Sequence, residues 1–347
     1  MVADGQARAA SFAGLLLGQA LGDALGLPAE GLRPEAIARR WPGPLRHRLL
    51  PGLGMVSDDT EHLWMTAVAL LEHPDDPAAF ARALGRQLRL WLLALPAGVG
   101  LATARACLKL WAGSPPERSG VFSAGNGPCM RSPVIGLFFA ADPVRRAAFV
   151  RASTRLTHTD PKAETAAQAL ADAAAWSASG RSPDAFFANR ADGAADVEWQ
   201  SALDLLREQG ARSASVAGFA RALCGGRGVS GYAYHTAPVA LYAWLRHGPD
   251  LHTALTEVVA CGGDTDTVSA ITGALVGASA GEREWPADWL AGLRDWPRGV
   301  SYTRALAEAL ARGGGRVPWC WPGQLPRNLF FLSVVLGHGF RRLWPFP

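Results

Sequence analysis

The sequence predicts an all-α fold, a single-domain multi-helix bundle, on three observations. Segments with apolar residues at helical spacing follow one another along nearly the whole chain, punctuated by Pro and Gly. Sustained period-two runs of Val, Ile and Thr, the mark of a sheet, are not found. The 347 residues are 49% hydrophobic and 18% charged, enough to bury a sizeable core. No fixed-period self-similarity points to a solenoid.

Taken in order, residues 12–25 are rich in Gly, Ala and Leu, which suits a central helix that its neighbours approach closely. Pro28, Pro34, Pro42, Pro44 and Pro51 mark a loop region over 27–56, with a turn of helix at 34–40. A helix starts after Ser57 and runs to Glu72, where Pro74 and Pro77 stop it. Phe80, Leu84, Leu88 and Leu92 recur every fourth residue, opposite Arg82, Arg86 and Arg89, as an amphipathic helix requires. Further helices are predicted at 102–111, 134–141, 143–156, 161–179, 183–189 and 197–208, the last capped by Asp196 and closed by Gly210. Segments 215–223, 237–246, 251–259, 268–280, 286–295 and 302–312 complete the domain, 1–312. Residues 313–347 shift to Gly, Pro, Trp and Arg, with a short apolar helix and an aromatic end at Trp344 and Phe346; they are expected to pack on the domain as an arm.

Net charge is only +4, and Lys109 and Lys162 are the only lysines. No run of five or six like charges and no basic stripe interleaved with aromatics is present, so no dedicated nucleic-acid surface is expected. The five cysteines are scattered and never spaced C-x-x-C, which argues against a disulfide framework or a structural zinc site and for a reducing compartment. The N-terminus lacks a basic n-region, and Gln19, Asp23 and several glycines interrupt the apolar stretch after Phe12. That stretch reads as a buried helix, and the expected location is cytoplasmic, with no membrane partner.

The chemistry concentrates in Gly262-Gly263-Asp264-Thr265-Asp266-Thr267, a glycine turn running into an apolar helix with Asp266 or Thr267 as its expected N-cap. Hard oxygens converging there suit Mg2+, Mn2+ or Ca2+ better than zinc, although an over-provided helix cap uses the same residues. A matching cluster, Ser57-Asp58-Asp59-Thr60-Glu61, follows Gly52-Leu53-Gly54 and opens another helix. Adjacent aspartates repel when both are ionised unless a cation neutralises them. Together the two clusters hold enough oxygens for two metal ions.

The order Gly22-Asp23-Ala24-Leu25-Gly26-Leu27-Pro28-Ala29-Glu30, Ser57-Asp58-Asp59-Thr60, Gly125-Asn126-Gly127-Pro128-Cys129-Met130-Arg131, Thr157-His158 and the 262–267 motif resembles the ADP-ribosylglycohydrolase family. The resemblance implies an all-helical hydrolase with two Mg2+ or Mn2+ ions, cleaving the bond at the anomeric carbon of ADP-ribose in an ADP-ribosylated acceptor. It implies Ser57, Asp58, Asp59, Asp264, Asp266 and Thr267 as metal ligands, and Glu30, Asp58, Asp59 and Asp266 as catalytic. It implies an ADP-ribose loop at Gly125, Asn126 and Gly127, with neighbouring Ser123, and a diphosphate contact at His158; Tyr234 is a further expected pocket residue. Asp23 is expected to brace the site. The chain departs from the family at Ser57, often Thr, and at Ala124, where some relatives carry an aromatic that stacks on adenine; either another ring such as Phe122 or Tyr234 does the stacking, or the natural ligand is not held by its adenine in that way. An ADP-ribose-binding protein without activity, or a dinuclear phosphoesterase, would use the same scaffold.

Overall fold

The computed structural model describes residues 2–189, 196–282 and 285–343; Trp344 and Phe346 of the expected aromatic end lie outside them. Among the described residues the chain is helical without a strand, and only isolated bridges pair backbone segments. Six helices position the site: α1 (Val2–Gly26), α2 (Asp58–Glu72), α3 (Pro161–Ser177), α4 (Ala233–His247), α5 (Thr265–Ala280) and α6 (Trp321–Leu343).

α1 and α5 form the antiparallel centre, and small residues let their backbones nearly touch. A Cβ on Gly14 or Gly18 would lie 2.0 or 2.2 Å from the carbonyl oxygen of Gly277 or Gly273, so no larger residue fits. α1 is long and apolar enough to cross a bilayer, yet 83% of that stretch is buried inside the protein. Leu15, Leu16, Leu17, Ala20 and Leu21 are fully enclosed, and α3 and α4 pack around the pair.

Three expectations change. α5 begins at Thr265, so neither Asp266 nor Thr267 is its N-cap; Asp264 takes that position and makes no capping bond with its side chain. α4 starts at Ala233, earlier than expected, which puts Thr236 inside the helix. The arm's short helix is a 23-residue one, α6. Its buried face carries Gln324, Arg327, Asn328, Phe331 and His338, while Leu325, Leu329, Phe330, Leu336 and Phe340 are exposed. The amphipathic pattern is thus partly inverted, and apolar periodicity alone could not find it.

Candidate active site

The second acidic corner depends on glycine. Gly262 and Gly263 have φ of +69° and +83°, and a Cβ on Gly263 would stand 2.0 Å from the carbonyl oxygen of Val229. The turn they allow delivers Asp264, Asp266 and Thr267 to one end of α5. At the first corner Ser57 caps α2, its Oγ accepting from the Asp59 amide at 3.2 Å. Asp23 of α1 takes more of the orphan donors: its carboxylate accepts from the Ser57 amide (2.9 Å), the Thr60 amide (3.2 Å) and Thr60 Oγ1 (2.5 Å). Burial pushes the Asp23 pKa up to about 6 against those bonds. Asp23 is therefore the brace expected of it, and Asp58 is left out of the capping.

The two corners meet. Thr267 Oγ1 donates to Asp59 Oδ2 at 3.1 Å across 208 residues of sequence, and Ser57 Oγ lies 3.3 Å from the same oxygen. Asp59 Oδ1 and Asp266 Oδ1 are buried with no hydrogen-bond partner among the described residues. Burial raises the pKa of Asp58, Asp59 and Asp266 well above the carboxylate range. Repulsion adds to it: Asp23, Glu30 and Glu61 act on Asp58, and Asp58, Asp23 and Asp264 act on Asp59. Asp264 is raised by burial too, partly offset by its bonds. Among the described residues no three His, Cys, Asp or Glu side chains already close into one ion sphere. The oxygens are shared instead between two corners, with the Ser57 and Thr267 hydroxyls among them. Two orphaned carboxylate oxygens amid mutually repelling acids are a donor set that fits hard divalent cations.

These groups line a cavity of ≈ 320 Å³. On one side stand Ser123, Gly125, Asn126, Gly127 and His158. The Asn126 amide is spent on structure: it donates to Asp264 Oδ2 at 2.6 Å and to Thr236 Oγ1 at 2.9 Å, bracketing the loop to the second corner and to α4. Ser123 Oγ accepts from the Gly125 amide at 3.2 Å. His158 is held between burial and the Arg131 charge, which drive its pKa down to about 3. Glu30 stands exposed at the mouth; its backbone oxygen accepts from Arg342 of α6 at 2.8 Å, and Gly31 donates to the Gly263 oxygen at 2.7 Å. Desolvation of its carboxyl group against the cavity wall and the Asp264 charge raise the Glu30 pKa, and Arg342 opposes them.

Tyr234 does not belong to the cavity. It is 1% exposed, its ring lies 4.9 Å from that of Trp199, and its hydroxyl bonds Asp196. The early start of α4 sets the helical phase that turns this ring inward. Phe122 is 79% exposed and does not line the cavity either, so neither expected stacking ring forms its wall. The aromatic that does is Phe331, which with Leu27, Ala97, Leu101 and Val335 makes the apolar side. Phe331, Val335 and Arg342 are not anticipated by the sequence reading; the signal for them is the polar set Gln324, Arg327 and Asn328, at helical spacing within an apolar helix.

The ADP-ribosylglycohydrolase family model matches residues 4–317, stopping short of α6. An uncharacterized protein of Archaeoglobus fulgidus is 33% identical over 295 residues, covering 82% of this chain and 92% of that one. The ADP-ribosyl-[dinitrogen reductase] glycohydrolase of Rhodospirillum rubrum is 27% identical over 311 residues, covering 85% and 95%. A solved chain described as an ADP-ribosylglycohydrolase-related protein complex has a TM-score of 0.62 at 30% identity, over 89% of this chain and 100% of that one. The joined corners, the glycine loop and the match across nearly all of the helical domain lead to one assignment: the chain belongs to the ADP-ribosylglycohydrolase family.

Proposed function

We propose that this protein is a metal-dependent hydrolase that cleaves the glycosidic bond at the anomeric carbon of ADP-ribose in an ADP-ribosylated acceptor. The observation that carries the reading is the meeting of the two acidic corners through Thr267 and Asp59, with buried carboxylate oxygens left unpartnered. Ser57, Asp58, Asp59, Asp264, Asp266 and Thr267 would hold two Mg2+ or Mn2+ ions. When bound, such ions supply Lewis acidity toward ribose hydroxyls and water.

The chain's own residues do the rest. The Gly125 and Asn126 amides donate to Ser123 Oγ and to the Gly231 oxygen, which leaves the Gly127 amide for a phosphate oxygen, at a position where a side chain would crowd His158. His158 adds a ring donor beside that loop. Asn126 holds Asp264 in place from the loop side, so ligand and acidic corner share one bracket. Glu30 stands at the mouth with a raised pKa, suited to carrying a proton to or from the departing acceptor. Five free thiols support placing the protein in the cytoplasm.

The test is release of ADP-ribose from arginine-, serine- and nucleic-acid-linked substrates by the purified protein, with Mg2+ or Mn2+ and with EDTA. Cation-dependent release that Asp264→Ala abolishes is the expected result. No release from any linkage, or release that EDTA leaves unchanged, overturns the reading.

A further inference from the structure

Arg131 lies behind the 123–127 loop, fully buried, and among the described residues no carboxylate stands against it. Its bonds go to neutral groups. Nε donates to Ser153 Oγ at 3.1 Å, and one terminal nitrogen donates to the Ser153 oxygen at 2.9 Å and to Thr157 Oγ1 at 2.8 Å. The other stands 3.4 Å from His62 Nδ1.

A guanidinium only donates, so Thr157 Oγ1 accepts from Arg131. The hydroxyl of Thr157 is sealed from solvent and has one other partner, His158 Nδ1, at 2.8 Å. It has one proton to give and one place to give it. Nδ1 therefore accepts, and a neutral imidazole whose Nδ1 accepts carries its proton on Nε2. The opposite tautomer would strand the Thr157 proton in the interior without an acceptor, which buried hydroxyls avoid. Nε2 faces the glycine loop: a Cβ on Gly125 would lie 3.1 Å from it, and one on Gly127 would lie 2.9 Å from the ring's Cε1. The backbone is pinned as well, by Thr159 donating to the Val121 oxygen at 2.9 Å and Val121 donating to the Thr157 oxygen at 3.1 Å.

We propose that Arg131 and Thr157 are positioning residues that lock His158 as a neutral Nε2–H donor aimed at the phosphate-holding loop. The ligand in this statement rests on the proposed function; the tautomer does not. The low pKa of His158 agrees, since burial and Arg131 keep the ring uncharged at neutral pH. A neutral ring then donates one hydrogen bond of fixed direction. Arg131, with no counter-charge among the described residues, adds positive potential on the same side for an anion bound at the loop.

The experiment uses the full chain in two arms. In the first, 15N-histidine-labelled protein at pH 7, with the His158 signals identified by their loss in His158→Gln, reports the tautomer through long-range 1H–15N couplings. An unprotonated Nδ1 and a protonated Nε2 are expected; an Nδ1–H tautomer, an even mixture or an imidazolium overturns the proposal. In the second, ADP-ribose is titrated calorimetrically into wild type, Thr157→Val and Thr157→Ser. Loss of one oriented hydrogen bond predicts affinity about tenfold weaker for Thr157→Val, with Thr157→Ser within about threefold of wild type. Equal affinity for Thr157→Val and wild type overturns the proposal. If Thr157→Val does not fold, the wild-type spectrum still decides. A wild type with the Nε2–H tautomer that binds no ADP-ribose would support the lock and sink the functional reading instead.

Discussion

One turn of α2 carries two buried acidic sites with opposite electrostatics. Glu61 is 1% exposed, and burial acts to raise its pKa. Arg327 and Arg298 outweigh that, with bonds from Gln324 and Trp91, and hold the carboxylate below its usual range. Arg298 donates to Glu61 Oε1 at 2.8 Å, Gln324 donates to the same oxygen at 2.5 Å, and Trp91 Nε1 donates to Oε2 at 2.7 Å. Three residues earlier, Asp58 and its neighbour Asp59 face no cation among the described residues, and their pKa values move the other way. Burial alone does not set the state of an acid; what faces it does. The first site is closed by the protein, with two of its partners on α6, and the second has no such counter-charge among the described residues.

The largest expected effect breaks the closed site. Glu61→Leu strands Arg298 beside Arg327, and removing one partner from a buried ion pair costs about 3–5 kcal/mol. Denaturant titration checks this; a loss under 1 kcal/mol, a threshold set by exposed pairs of roughly that worth, would mean the cluster does not anchor α6. Next comes the open site. Asp264→Ala should lower kcat by on the order of 10²–10³-fold while leaving cation-free stability equal or higher, because it relieves repulsion on Asp59 and Asp266. A stable variant with undiminished turnover would erase the distinction between the two sites.

Cation and pH sharpen the comparison. Added Mg2+ at 100 times its Kd should stabilise the protein by about 2.7 kcal/mol, read as a rise in Tm that Asp264→Ala loses. Without cation, Asp58, Asp59 and Asp266 hold protons in the folded state at pH values where the unfolded chain has released them. Stability should therefore fall as pH rises from the ordinary carboxylate range through their raised values. Glu61 acts oppositely: its contribution is present above its ordinary pKa and lost as pH falls toward its depressed one. Denaturation midpoints across pH, with EDTA and with Mg2+, should diverge on the high-pH side; superimposable curves would count against a cation at the acidic corners. The smallest effect belongs to Arg342→Ala, which frees the Glu30 backbone oxygen and removes a cation beside that carboxylate. It should change kcat/KM by about threefold, the size of a partly exposed hydrogen bond, with little loss of stability; an unchanged value would show that α6 does not steer Glu30.

Much of this was legible in the chain. Helix 34–40 and the start of α2 follow from proline, from Ser57 as a cap and from acids in the first turn, all signals within a few residues. The two glycines before Asp264 announce a turn, and the two acidic clusters announce oxygen-rich corners. The misses share a cause. Tyr234 is expected in the pocket because the 231–236 stretch offers aromatic surface just before a helix, whereas the start of α4 decides which way the ring turns. α6 was underestimated because its inward face meets charges on α2 and near Asp295, so it buries Arg327 and Asn328 and exposes leucines.

What the sequence alone determined is local: where helices begin, where glycine permits a turn, and that two oxygen-rich clusters sit at helix starts. Those depend on backbone sterics and on hydrogen bonds between near neighbours. Only the tertiary structure decided that Asp59 meets Thr267, that Glu61 is neutralised while Asp58 is not, and that Thr157 dictates where His158 keeps its proton. Desolvation and Coulomb interaction act through space, and the groups that settle each charge lie in distant parts of the chain, brought within a few ångströms only by packing α1 against α5.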